Sequence, residues 1–293
     1  FCLSRGLGDV YKRQDNRCSY CLVPKIRGRF RSRKIEDILA EVKLLVEKGV
    51  KEIILVAQDT TMYGIDIYGK SMLSKLLKKL AKIDGLEWVR VMYTHPAHLT
   101  NDVIEIIATE DKICKYIDLP IQHICDRILG LMRRRVIRRD IEVLIEKLRS
   151  IKNLAIRTSL IVGFPTETKE EFRELLDFIE GVRFERLGVF KYSREVGTPA
   201  YNLRGQVPEG EKVSRFRQVM LIQRKISKEF SKNMVGRSLK VLVEKKGVGR
   251  SYMDAPEIDG SVITNNPKVT PGEFVNVKIT GSKIYDLVGE ISP

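Results

Sequence analysis

The sequence predicts an α/β chain: a partial, open six-stranded parallel barrel without its first strand, followed by a small all-β barrel. Three observations predict it. Five short apolar runs of strand type alternate with amphipathic helices between positions 52 and 192. A long polar helix then interrupts the pattern at 209–233. After Gly236 short alternating segments are separated by Gly, Pro and Asn. Strands alternating with helices at this spacing imply right-handed βαβ units and a parallel sheet.

Residues 1–14, FCLSRGLGDVYKRQ, differ in texture from the rest and read as a foreign leader, outside the fold argument. The barrel core is expected over 15–208, a connecting helix over 209–235 and the β domain over 236–293. The strand expected before Cys18 would fall inside the leader. In the segment 35–48, Ile35, Ile38, Leu39, Val42, Leu45 and Val46 form one helical stripe, and Gly49 stops the helix. EIILVAQD is a strand. Helix 71–82, strand 88–93, helix 100–108 and strand 115–119 follow. Helix 138–150, strand 155–163, helix 168–180 and strand 184–192 complete the alternation. SLKVLVEK, GSVITN, FVNVKIT and YDLVGEI are the strands of an OB-like barrel.

The 293 residues have room for both units, and 43% hydrophobic with 31% charged content is ordinary for a globular protein. No apolar run approaches the ~18 residues needed to cross a bilayer, and nothing resembles a signal peptide, so a cytoplasmic location is expected. Five cysteines with one close pair point to metal chemistry rather than a disulfide framework. The net charge of +15 is uneven: from Gly236 onward eight basic residues face seven acidic ones, which leaves +14 on positions 1–235. The basic surface belongs to the large domain, as a solvated face or as a contact for an acidic or nucleic-acid partner.

Cys18-Ser19-Tyr20-Cys21 is a CxxC pair in a loop ahead of the first clear helix. Zinc ribbons use such a pair twice, and Cys114 and Cys125 do not supply a second one. A thioredoxin-like dithiol would open a helix after a strand in a much smaller domain. In an iron–sulfur motif of CxxxCxxC spacing, Gln14 would occupy the first cysteine position. Three thiolates on a four-iron four-sulfur cluster leave one iron free. That iron can chelate S-adenosylmethionine, whose one-electron reduction yields a 5′-deoxyadenosyl radical.

The segments DNRCSYCLVPKIRGRFRSR, VAQDTTMYGIDIYG, KYIDLPIQH, RTSLIVGFPTET and LGVFKYSREVGTPAY resemble the methylthiotransferase branch of the radical-SAM superfamily, whose fold is a TIM-like barrel. GRSYMDAPEIDG and its surrounding β segments resemble the TRAM domain of that branch. DAPEIDG and LGVFKYSREVGTPAY are similar to the RimO type. The resemblance implies methylthiolation of the β-carbon of an aspartate on ribosomal protein S-twelve. It also implies an electron-donor protein and a second four-iron cluster on an N-terminal domain with three cysteines, which this sequence does not include. With Gln14 in a ligand position and that domain missing, the polypeptide as written is expected not to complete the reaction.

The resemblance makes Cys18 and Cys21 the metal ligands. It places Tyr20 against the adenine, Gln58 and Asp59 near the methionine part of the cofactor, and Gln122 near the nucleoside. Arg157 would meet the carboxylate, and Gly163 would border adenine or ribose. Each has a structural alternative: packing for Tyr20 and Gly163, a loop cap for Asp59, an ion pair for Arg157. His95 stands at a strand end where it would line the substrate mouth, and His123 reads as a satisfied polar contact. Cys114 and Cys125 read as buried apolar thiols.

Two basic sets, Lys25, Arg27, Arg29, Arg31, Arg33 and Lys34, and Arg133, Arg134, Arg135, Arg138 and Arg139, offer contacts to ribosomal RNA or a solvated face. Asp254, Glu257 and Asp259 read as an acidic rim suited to a basic ribosomal protein. Two rival functions stay open: a tRNA adenosine methylthiotransferase of the MiaB type, and a non-catalytic ribosome- or RNA-binding fragment. The near-neutral β domain speaks against an RNA grip.

Overall fold

The computed structural model describes residues 18–28, 30–264 and 269–292. Cys2, Gln14 and the leader, with the strand expected there, lie outside the described residues, as does Arg29.

Five parallel strands follow the cysteine loop: β1 (Glu52–Leu55), β2 (Trp88–Val91), β3 (Tyr116–Asp118), β4 (Ala155–Val162) and β5 (Arg186–Lys191). β1 pairs with β2, and β3, β4 and β5 pair in that order. The two sheets are joined by a parallel bridge from Val89 to Ile113 and, at the carboxyl ends, by Thr94 N–H donating to the Asp118 carbonyl at 2.9 Å. One strand order, 1 to 5, runs across the barrel wall.

The helices between the strands are α2 (Ile35–Glu47), α4 (Leu73–Ala81), α5 (Asn101–Thr109), α7 (Arg138–Arg149) and α8 (Lys169–Val182). α4 shows why they form. Leu73, Leu76, Leu77 and Leu80 are buried on one stripe, while Lys78 and Lys79 fall in the last turn, where cations suit the helix dipole. α8 starts at a capping box in which Thr168 Oγ1 accepts from Glu171 N and the Glu171 carboxylate accepts from Thr168 N. Short helices α1 (Val23–Arg27), α3 (Ile65–Tyr68) and α6 (Asp126–Leu131) carry too few residues for a periodic signal, and the sequence does not predict them. The long helix α9 (Glu209–Asn233) matches its expected span; Val219 and Ile226 join the barrel core.

The strands bury two faces. Ile53, Leu55, Val89, Val91, Ile117 and Ile156 pack beneath the helices. On the barrel-interior face, Ile54, Trp88, Met92, Cys114, Tyr116 and Ala155 pack against Leu239, Val241, Met253, Val262, Val277 and Leu287 of the C-terminal domain. That domain is a closed five-stranded barrel in the order β10-β8-β7-β6-β9, made from β6 (Ser238–Lys245), β7 (Val248–Ser251), β8 (Val262–Thr264), β9 (Phe274–Ser282) and β10 (Leu287–Ile291). β7, in which Gly249 precedes the polar pair Arg250-Ser251, escapes the alternation test. The small barrel therefore packs against the interior side of the strands and leaves the cleft above it open.

Buried ion pairs fix this seat. Glu52 sits between Arg90, whose Nε is 2.9 Å from Oε1, and Arg250 of the small barrel. Burial works to raise the Glu52 pKa, but the two guanidiniums hold it below the usual carboxylate range. Arg186 binds Asp254, Nε to Oδ1 at 3.0 Å, and Tyr116 OH donates to Asp259 Oδ2 at 2.8 Å. This corrects the expected acidic rim. Asp254 and Asp259 point into the domain contact, and Glu257 alone of the three is exposed. Among the described residues no helix is long and apolar enough to cross a membrane.

Candidate active site at the cysteine loop

The loop bearing Cys18 and Cys21 is held by its backbone. Cys21 N–H donates to the Cys18 carbonyl at 3.2 Å, closing the turn. Ser19 N–H donates to Met132 O at 3.0 Å, Ser19 Oγ donates to Leu131 O at 2.6 Å, and Ser19 O accepts from Ala200 N at 2.8 Å. α1 follows with Pro24 in its first turn, and Lys25 Nζ donates to the Gly197 carbonyl. Cys18 is buried and Cys21 half-buried, both as free thiols. Burial pushes the Cys21 thiol up, against the Val23 amide, while Cys18 adds to the rise and Arg134 opposes it.

Arg134 is itself buried. Its Nη1 lies 3.9 Å from Cys18 Sγ and its Nη2 donates to Pro120 O. Neighbouring Arg133 and Arg135 both have positive φ, +59° and +55°. This turns the middle residue inward while its neighbours stay at the surface. Two soft sulfur donors, a loop already ordered and a guanidinium beside one thiol suit thiolate ligation of an iron–sulfur cluster.

Beside the loop, a cleft of about 490 Å³ opens at the carboxyl ends of the strands, where parallel barrels place their functional groups. Tyr20, Tyr93, Gln122, Arg157, Ser159 and Ile258 are among the residues that line it. Tyr20 also packs against the cluster formed by Ile128, Met132, Ile161, Phe164, Tyr192 and Ala200, and burial pushes its phenol well up. Gln122 takes a left-handed conformation, φ +70°, because its N–H donates to Ser159 O and its carbonyl accepts from Ile161 N, both at 2.9 Å. Arg157 Nη1 is 2.7 Å from Asp118 Oδ1, and its Nε is 3.5 Å from Asp259 Oδ1. The ion-pair alternative for Arg157 is thus realised at the cleft wall.

Three expected residues do not line this cleft. Gln58 Oε1 is buried without a hydrogen-bond partner among the described residues. Asp59 caps a 3-10 turn at Thr60–Met62, accepting from Thr61 N at 3.1 Å, and lies 2.7 Å from His98 Nδ1. Gly163 has φ +72°, and a Cβ there would lie 2.4 Å from Lys212 Cγ on α9, so its surroundings are those of a packing glycine.

Asp59, His95 and His98 place ligand atoms within 4.8 Å of one another. Both Nδ1 atoms are engaged, however, since Ala97 N–H donates to His95 Nδ1 at 3.1 Å. A neutral His95 then carries its proton on Nε2, and its Nδ1 lone pair is taken up by the Ala97 amide. The trio is a hydrogen-bonded cap. His123 Nδ1 accepts from Cys125 N at 3.0 Å, while its buried Nε2 finds no partner among the described residues. Cys114 is buried as expected; Cys125 is half-buried, and its Sγ donates to Glu171 Oε1 at 3.2 Å.

Ser19, Tyr93 and Arg134 are site residues that sequence reasoning missed. Ser19 acts largely through its backbone, and Arg134 looked like one more surface cation. Tyr93 adopts φ +56° because its N–H donates to Asp118 Oδ2 at 2.9 Å and its carbonyl accepts from Thr60 N at 3.0 Å. An aromatic residue with positive φ is a signal that only coordinates carry.

Residues 15–179 match the family model of the radical SAM superfamily, and residues 235–291 match that of the TRAM domain. The ribosomal protein uS12 methylthiotransferase RimO of Thermoanaerobacter sp. (strain X514) is 50% identical over 280 residues, which cover 94% of this chain and 64% of that protein. The protein of the same name from Desulforamulus reducens is 51% identical over 287 residues, 95% of this chain and 65% of the relative. The chain thus spans just under two thirds of the length of these relatives.

Among solved structures, the radical S-adenosylmethionine methyltransferase TsrM from Kitasatospora setae aligns with a TM-score of 0.54 at 17% identity, over 65% of this chain and 35% of that one. Coproporphyrinogen III oxidase (HemN) from Escherichia coli aligns with a TM-score of 0.51 at 18% identity, over 64% and 43%. These likenesses concern the barrel fold alone. With the family model spanning more than half of its length and the cysteine loop set beside the cleft, the chain belongs to the radical SAM superfamily.

Proposed function

We propose that the chain is the barrel and TRAM portion of a methylthiotransferase that adds a methylthio group to the β-carbon of an aspartate of ribosomal protein uS12. The observation that carries this reading is the roughly half-identical match, over nearly the whole chain, to proteins named for that activity. The near-neutral β domain adds to it, since a basic protein partner asks less positive charge of it than RNA does.

In this reading Cys18 and Cys21 are two of the three thiolates of a four-iron four-sulfur cluster; Gln14 stands where the motif calls for the third, so the chain as written does not complete the reaction. Ser19 keeps the loop in place through Met132, Leu131 and Ala200. Arg134 brings positive charge to Cys18 Sγ. Tyr20 offers its ring to the adenine, and Gln122 and Ser159 offer polar groups to the nucleoside. Arg157 faces the cofactor's carboxylate. The cluster, once loaded, supplies the electron that splits S-adenosylmethionine into methionine and a 5′-deoxyadenosyl radical. A second cluster on an N-terminal domain and an electron-donor protein complete the reading. The exposed Arg133, Arg135, Arg138 and Arg139 give the barrel a face for ribosomal RNA.

The test offers the anaerobically reconstituted chain purified uS12 and tRNA in turn, measuring binding and, by mass spectrometry, any methylthio gain. Binding to uS12 over tRNA, with any added mass on an aspartate, is the expected result. Binding to tRNA alone, mass on an adenosine, or zinc in place of iron at the cysteine loop would refute the proposal.

A further inference from the structure

The loop Met253–Gly260 between β7 and β8 belongs to the small barrel, yet it reaches the cleft of the large one. Its ends are pinned. Asp254 takes Arg186 of β5, and Met253, Asp254 and Ala255 are all buried. Asp259 Oδ2 accepts from Tyr116 OH at 2.8 Å and from Ala255 N at 2.9 Å. Between these anchors the chain turns through Glu257, with φ +67°, and presents Ile258, half exposed, as part of the cleft wall.

The second oxygen of Asp259 turns to Arg157, which lines that cleft. Oδ1 lies 3.5 Å from Arg157 Nε, while Nη1 of the same guanidinium is held by Asp118 Oδ1 at 2.7 Å and reaches Ser159 Oγ at 3.4 Å. The Arg157 side chain is only 12% exposed. Among the described residues Nη2 makes no hydrogen bond; it faces Gly188, where a Cβ would stand 3.7 Å away. A guanidinium anchored through two of its nitrogens has lost its rotamer freedom before a ligand arrives. It keeps one donor group for that ligand. The carboxylate that completes the hold comes from the small barrel.

We propose that Asp259 is a positioning residue of the cleft: it fixes Arg157 so that Nη2 meets the carboxylate of an amino-acid-bearing ligand, which makes the small barrel's loop a wall of the binding site. This rests on the reading of the cleft as an S-adenosylmethionine site. On that reading, ligand affinity depends on the seating of the small barrel, beyond any role of that barrel in gripping a macromolecule.

The test titrates S-adenosylmethionine and, separately, 5′-methylthioadenosine, which lacks the amino-acid part, into anaerobically reconstituted chain in which Gln14→Cys completes the motif (the cleft otherwise wild type), and into its Asp259→Asn and Arg157→Lys variants. Asp254→Asn, which loosens the domain contact without touching Arg157, is the control. Asp259→Asn and Arg157→Lys are expected to bind S-adenosylmethionine about tenfold more weakly, the loss of one pre-ordered side chain, while binding 5′-methylthioadenosine as the wild type does. Asp254→Asn should leave the ratio of the two affinities unchanged. Equal S-adenosylmethionine affinity in wild type and Asp259→Asn overturns this inference alone, and so does a parallel loss for both ligands. A wild type that binds neither ligand overturns the cofactor reading of the cleft and this inference with it. Should Asp259→Asn fail to fold, the selectivity of Arg157→Lys decides.

Discussion

Arg134 points its Nη1 at the sulfur of Cys18, 3.9 Å away, from a buried position between two arginines of positive φ. A fixed positive charge beside a cluster ligand favours the cluster's reduced state.

Arg134→Gln is therefore expected to lower the reduction potential of the cluster reconstituted in chain carrying Gln14→Cys. Loss of one screened charge gives a downward shift of roughly 60 mV, a tenfold change for a one-electron couple. A redox titration followed by electron paramagnetic resonance checks it. An unchanged potential would show that the guanidinium serves only to hold Pro120.

Gln14→Cys should raise iron and acid-labile sulfide. The CxxxCxxC spacing would then be complete, and reconstituted protein should approach ~4 iron atoms per chain while the wild type stays well below. Equal iron content in both would remove position 14 from the ligand set.

Two buried imidazoles predict a pH dependence of stability. Burial pushes both His95 and His123 down to about 3; for His123, Glu171 opposes the shift and Arg215 and Arg127 add to it. The unfolded chain protonates histidine near 6.5, so between about 6.5 and about 3 the unfolded state binds more protons. Their contribution is complete above about 6.5 and falls as pH drops through that window, by roughly 1.4 kcal/mol per unit for each histidine. The depressed carboxyls of Glu52 and Glu171 add their own loss only below about 4.4. Between pH 4.5 and 6.5 (about two units) the histidines set this slope, opposed by Glu167, whose carboxyl burial pushes above the usual range. His123→Asn, which keeps an acceptor for Cys125 N–H, should lower the slope there by roughly 1.4 kcal/mol per pH unit. An unaltered slope would mean His123 is charged in the fold.

Gly163→Ala separates the two roles weighed for that glycine. With φ +72° and Lys212 Cγ in the way, the added methyl should cost about 1–3 kcal/mol of stability. S-adenosylmethionine affinity should stay near wild type, because the residue is absent from the cleft wall. Weaker binding at unchanged stability would restore it to the binding site.

The sequence alone determined the order of elements and the place of the chemistry. Hydrophobic periodicity is local, so helix α9, the five strands and the switch to short β segments after Gly236 could be read residue by residue. The CxxC loop and the strand end bearing Gln122 were legible for the same reason, since a parallel βα pattern puts one end of every strand at one mouth; Arg157 stands in the first half of β4 and reaches the cleft from there. Tertiary structure alone decided which charged groups meet. Asp254 and Asp259 look like an exposed acidic stretch until the small barrel packs on the large one and buries them against Arg186 and Arg157. Arg134 looks like one cation among five until two left-handed neighbours turn it toward Cys18. Ion pairing across more than a hundred residues leaves no periodic trace in a chain. It depends on how two domains seat, and that follows from the shape of their packed faces.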